Sequence, residues 1–179
     1  MAKVSFAEIE TARSALLAAD AFFELEQVTT PRGTFNAYKH APKNLIELLS
    51  AGRAHGDATL IVYEDERWTF NEFYQKVDSL RCWLVNEKQV KSGDRIAIAM
   101  RNYPEWLVAF TASVLSGAIT VPLNSWGKAD ELQHGIADCE PVVLFCDQER
   151  YDFVASNANN MTTDLIVARS ENIEQSAAI

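Results

Sequence analysis

The stretch that decides the fold is Gly93-Asp94-Arg95-Ile96-Ala97-Ile98-Ala99-Met100-Arg101-Asn102-Tyr103-Pro104-Glu105-Trp106, taken up again at Val121-Pro122-Leu123-Asn124. Residues 96–100 form a short unbroken apolar run, the pattern of a strand buried on both faces. Asn102 to Glu105 then read as a helix start. Asn can cap, Pro suits the first turn, and Glu suits the positive end of the helix dipole. The helix expected over 104–116 carries Ala109, Ala112, Ser113 and Ser116, followed by Gly117, small residues that let it lie close to a sheet. A second apolar run at 118–123 completes one strand–helix–strand unit of a parallel sheet. Within the unit, Gly93-Asp94 reads as turn chemistry before the strand and not as a functional loop.

Outward from this unit the alternation continues. Apolar runs at 142–146 and 165–168 predict further buried strands, with helices at about 128–137 and 148–157. Upstream, Thr69-Phe70-Asn71-Glu72 matches a capping box, and Phe73, Val77, Leu80 and Leu84 share one face of a helix running to about Lys88. Residues 59–63 and 67–69 bracket Glu64-Asp65-Glu66 as a hairpin, and Leu45, Ile46, Leu48 and Leu49 start a helix ending near Gly52 or Gly56. Before His40-Ala41-Pro42, which breaks the chain, a helix is expected over 5–21. Two strands, at 22–28 and 34–39, then flank the turn Thr29-Thr30-Pro31-Arg32-Gly33. The expected fold is α/β, a mostly parallel sheet with flanking helices, preceded by a helix and β-hairpins. Residues 1–42 are expected to be an extension and 43–179 the main domain, with a frayed tail from Ser170.

Composition narrows the function. The 179 residues include 25 acidic and 16 basic side chains, a net charge of −9 that argues against nucleic acid and anionic membrane surfaces as partners. A local basic pocket can still hold an anionic ligand. No apolar run reaches the roughly 20 residues of a membrane span, and Glu8 and Glu10 interrupt the place where a signal peptide needs an apolar core. Cys82, Cys139 and Cys146 make no C-x-x-C pair and read as core or near-core thiols of a reducing, cytoplasmic protein.

The motifs together resemble the N-terminal subdomain of the adenylate-forming superfamily, above all its AMP-forming acyl-CoA synthetases. Trp68-Thr69-Phe70-Asn71-Glu72-Phe73 resembles that family's strand-to-helix opening, and Gly93 to Trp106 resembles its "GDRVAI…N-x-PE". Gly117-Ala118 through Val121-Pro122-Leu123-Asn124 resembles its "GAVxVPLN". The ordered similarity runs from about Leu45 to Asp147. It implies an enzyme that activates a carboxylic acid, such as a fatty acid, with ATP and Mg to an acyl-adenylate and passes the acyl group to CoA. The family's Ser/Thr/Gly-rich phosphate loop is not found in these 179 residues, so no catalytic residue is assigned and the segment is expected to be inactive alone. One departure stands out: Lys128 occupies the place where relatives cap the helix after the "PLN" strand with Thr or Ser, leaving Ser125 or Gly127 as substitutes.

Open α/β sheets bind ligands at the carboxyl ends of their strands. Arg101, Asn102, Asn124 and Trp126 fall there and are the candidate substrate- or CoA-binding residues. Helix capping and packing are the competing reading. His40, His55 and His134 lack ligand spacing, so no metal site is expected. Asp130-Glu131 and Glu8/Glu10 read as solvated helix faces, and Trp68, Trp83, Trp106 and Trp126 as core or interface aromatics. Two other readings stay open: a stand-alone interaction module that homo-oligomerises through exposed apolar surface, and a ligase that serves a carrier protein.

Overall fold

The computed structural model describes residues 4–155 and 162–170, arranged as two compact units, 1–48 and 49–179. The larger unit is built on a four-stranded sheet in the order β6-β5-β7-β8, with β5 at Arg95–Ala99, β6 at Ile119–Pro122, β7 at Val143–Asp147 and β8 at Asp164–Ala168. All three pairings are parallel, as the apolar runs required. Period-two alternation sends each strand's side chains to two separate cores. Ile96, Ile98, Val143, Phe145 and Ile166 join α3 (Phe70–Asn86) and α4 (Pro104–Leu115) on one face. Ala97, Ala99, Leu144, Cys146 and Val167 meet α5 (Ala129–Cys139) and α6 (Gln148–Val154) on the other. The result is a helix–sheet–helix sandwich.

The Thr69 hydroxyl accepts from the Glu72 backbone N–H at 3.2 Å, while the Glu72 carboxylate accepts from the Thr69 N–H at 2.7 Å. This closes the capping box that starts α3. Phe73, Val77, Leu80 and Leu84 are all buried, as their spacing predicts. Ahead of α3, β3 (Thr59–Tyr63) and β4 (Glu66–Thr69) pair as an antiparallel hairpin. Its loop is two residues, with Glu64 at φ +48°, so Glu66 belongs to the strand and not to the turn. Gly93 (φ +90°) and Gly117 (φ +80°) lead into β5 and β6, and the Gly93 N–H donates to the Gly117 carbonyl at 3.0 Å. Both positions need positive φ, which confirms Gly93-Asp94 as turn chemistry.

Several expectations are corrected. β6 is not buried on both faces: it forms an edge of the sheet, and Ile119 is 54% exposed. α3 stops at Asn86 because Gln89 takes positive φ, and α5 runs on to Cys139, where Glu140 in the left-handed region ends it. Asn102 does not cap α4. Tyr103 holds the cap position without a side-chain bond, while Pro104 and Glu105 occupy the first turn as expected. Lys128 likewise heads α5 with no side-chain cap, and neither Ser125 nor Gly127 substitutes. Cys82 is exposed, unlike Cys146, whose thiol burial pushes up to about 12. The end of the helix expected at Asn157 and the tail from 171 lie outside the described residues.

The smaller unit holds α1 (Phe6–Leu16) and a hairpin of β1 (Leu25–Thr30) and β2 (Gly33–Tyr38), followed by α2 (Leu45–Ala51), which spans the boundary. α1 starts at a Ser5–Glu8 capping box but ends well before residue 21. Asp20 takes positive φ, and successive turns through Ala21 and Glu24 delay β1 to Leu25. The hairpin closes around Pro31-Arg32, a tighter turn than the expected 29–33, because Thr29, Thr30 and Gly33 pair within the strands. No residue of α1, β1, β2 or α2 is buried.

Candidate functional site at the carboxyl end of the sheet

Adjacent strands β5 and β7 send the chain to opposite faces, through α4 on one and α6 on the other. The region beyond their carboxyl ends, where the two connections diverge, is the crevice position at which open α/β sheets take ligands. Arg101 follows β5, and Asn124-Ser125-Trp126 follow β6. Asp147 ends β7 and caps α6.

Asp147 organises the crevice. One carboxylate oxygen accepts the Arg101 backbone N–H at 2.9 Å and the other accepts the Arg150 N–H at 3.0 Å. The Arg150 guanidinium lies 3.3 Å from Asp147, donates to Glu149 at 2.6 Å and, through Nε, to the Ser125 carbonyl at 2.8 Å. Asp147 and Arg150 are each only 4% exposed. A buried charge pair is tolerated only when geometry and extra hydrogen bonds offset desolvation, and here both partners are multiply bonded. The pair thereby ties together the ends of β5, β6 and β7.

Above this pair the Arg101 guanidinium lies over the indole of Trp126. Trp126 is 78% exposed, which removes the core half of its core-or-interface reading, whereas Trp68, Trp83 and Trp106 do pack against the core. Asn124 fixes the intervening turn: its side-chain oxygen accepts the Trp126 N–H at 3.1 Å, and its amide donates to Glu131 at 3.0 Å. Arg101, Asn124 and Trp126 therefore converge into a cationic and aromatic surface. Asn102 does not join them. It lines a separate open groove of about 440 Å³ with Leu60, Val62, Tyr63, Trp106 and Leu107.

A second arginine organises the end of β8. Arg169 donates to Glu66 at 2.6 Å and to Glu105 at 3.0 Å, with the rings of Tyr63 and Tyr103 about its guanidinium. Burial alone would lower its pKa, but the hydrogen bonds to the two carboxylates outweigh this and raise it. Sequence reading missed Arg169 because its partners are distant in the chain, and Arg150 because its burial and its bond to the Ser125 carbonyl are set by tertiary packing. The one local signal was Asp147 three residues before Arg150, an Asp at a helix N-cap. His40 lies beside Glu24 and His55 against Phe70. Among the described residues no three His, Cys, Asp or Glu side chains gather as metal ligands, and no helix is long and apolar enough to cross a membrane.

A four-stranded parallel sheet with helices on both faces defines an α/β scaffold, and comparison with known proteins assigns it. Residues 49–178 match the family described as AMP-binding enzyme. The chain is 36% identical over 106 residues to acetyl-coenzyme A synthetase of Rhizobium meliloti, covering 54% of this chain and 16% of that protein. It is 33% identical over 93 residues to 2-succinylbenzoate–CoA ligase of Bacillus cereus, covering 52% of this chain and 19% of that protein. A long-chain-fatty-acid–CoA ligase of Archaeoglobus fulgidus shares the fold with a TM-score of 0.66 at 21% identity, covering 76% of this chain and 29% of that one. The chain belongs to the AMP-binding enzyme family, whose matched members are AMP-forming acid–CoA ligases. It spans less than a fifth of the length of the two curated relatives.

Proposed function

We propose that this chain is the N-terminal portion of a ligase that activates a carboxylic acid, most simply a fatty acid, with ATP to an acyl-adenylate and transfers the acyl group to CoA. The observation that carries the reading is the family match over 49–178, which spans the four-stranded parallel sheet and its helices. On this reading residues 43–179 are the partial synthetase domain and 1–42 an extension. Family membership brings ATP and Mg to the whole enzyme, but the residues here do not fit a triphosphate. Gly93 and Gly117 precede β5 and β6, away from the strand ends. Gly127, which does lie at the strand ends, is covered by Glu131: a Cβ there would come within 2.7 Å of its carboxylate. Such a carboxylate repels phosphate, so the segment alone is proposed to be inactive.

What the segment supplies is binding and orientation. Arg101 and Trp126 offer a cation and an aromatic face to an anionic ligand at the crevice, with Asn124 holding the turn. Asn102 serves the apolar groove beside it, which suits an acyl or aryl group. The test is to read the coding sequence past the codon for Ile179 and assay the longer product. We expect the frame to continue into a Ser/Thr/Gly-rich loop, with carboxylic-acid-dependent ATP–pyrophosphate exchange. A stop codon there, or no exchange with acetate, 2-succinylbenzoate or fatty acids, overturns the reading.

A further inference from the structure

The N-terminal unit carries apolar surface that its own elements do not cover. Ile9, Leu16, Phe22 and Phe35 are each more than half exposed. A two-stranded sheet is marginal in water, and independent stability takes further strands with an apolar face or a helix packed on the hairpin. The pairing register puts Val28 opposite Phe35, and Ala37 lies on the same side of the hairpin. That face carries Val28, Phe35 and Ala37 at its centre, with Glu26 opposite Ala37, and is too small to fold against.

The outer edge of β2 is also unguarded. Its sequence, Gly33-Thr34-Phe35-Asn36-Ala37-Tyr38, contains no charge and no proline, the usual devices that keep an edge from pairing. β1, by contrast, carries Glu26. In an antiparallel ladder alternate residues turn their N–H and C=O away from the partner strand, so β2 presents a free row of donors and acceptors.

Charge selects the occupant. Residues 1–48 hold six acidic and five basic side chains, whereas 49–179 hold 19 and 11. Only the first segment can meet its own copy without strong repulsion. Of the two charges that flank the strand, Arg32 and Lys39, Lys39 is already neutralised by Glu24 at 2.9 Å. An antiparallel pairing of β2 with itself, with the two-fold axis at Asn36, is self-complementary. Asn36 faces Asn36, and Phe35 lies beside Ala37 of the second copy. We propose that β2 strands of two chains pair in this way, turning two hairpins into one four-stranded sheet with Val28, Phe35 and Ala37 of both copies on one face.

The experiment uses the full chain. In sedimentation velocity across a wide concentration range, the protein is expected to dimerise reversibly. Asn36→Lys should weaken the dimer by about tenfold or more, because it sets like charges opposite each other. Val62→Lys, at an exposed strand position of the other unit, should leave it unchanged. Folding is checked independently by cross-linking. In a Cys82→Ser background, Asn36→Cys places two thiols with Cβ atoms about 5 Å apart and should oxidise to a covalent dimer, while Asp65→Cys should not. A monomeric wild-type protein overturns the proposal. So does cross-linking at 36 no greater than at 65, or a position-36 thiol protected in the monomer, which would mean that the chain itself covers the edge.

Discussion

The two units follow the same local rules and end in different states. In the larger, every residue of β7 and nearly all of β5 are buried, and the sheet is sealed on both faces by helices. In the smaller, α1 has a complete capping box and the hairpin a six-pair ladder, yet nothing is buried. Capping and ladder hydrogen bonds exchange water partners for protein ones at modest net gain, whereas apolar burial supplies the dominant driving force. Good local signals therefore make elements, and only a shared core makes a domain. The same division separates scaffold from site. The crevice sits on the sealed sheet, where an ion pair can be held in one geometry.

The largest test of this contrast is Phe145→Ala, expected to cost about 3–5 kcal/mol by denaturant unfolding because the ring is fully buried. Phe35→Ala, measured at concentrations where the chain is monomeric, should stay within about 0.5 kcal/mol. Equal losses would erase the distinction. Next comes the crevice. Asp147→Asn leaves the Arg150 charge buried and is expected to cost about 3 kcal/mol, and it should also change Trp126 fluorescence by releasing the Arg101 backbone. Arg169→Gln, a third exposed, should cost about 1 kcal/mol or less.

Smaller effects sharpen the comparison further. The backbone N–H and the hydroxyl of Thr69 hold Glu72 below its ordinary 4.5. A depressed carboxylate stabilises fully above that pH and loses its contribution as pH falls through the lowered value. Glu72→Gln should therefore lower Tm at neutral pH and converge on the wild type below pH 4.5. Lys128→Thr supplies the missing cap of α5 and is expected to add about 0.5–1 kcal/mol, read as a raised denaturation midpoint.

Much of the fold was legible because it depends on periodicity. The apolar runs located all four parallel strands within a residue or two, and Thr69–Glu72 fixed the start of α3. What sequence could not show was order across the sheet. Nothing local says that β6 lies at an edge, so Ile119 looked buried until its neighbours were known. The site was harder to see. Arg101, Asn124 and Trp126 were findable from their place after strands, but Arg150 earns its role from Ser125, 25 residues away, and Arg169 from Glu66, 103 residues away. Asn102 was grouped with Arg101 because both follow β5, but it lines a different groove.

We propose that this segment is family scaffold that offers a binding surface but lacks the phosphate-handling chemistry. The most direct measurement is ATP–pyrophosphate exchange by the folded 179-residue chain, with acetate, 2-succinylbenzoate and fatty acids as substrates. The account predicts no exchange above background from protein whose circular dichroism shows the native α/β signature. Carboxylic-acid-dependent exchange by this chain alone would contradict it.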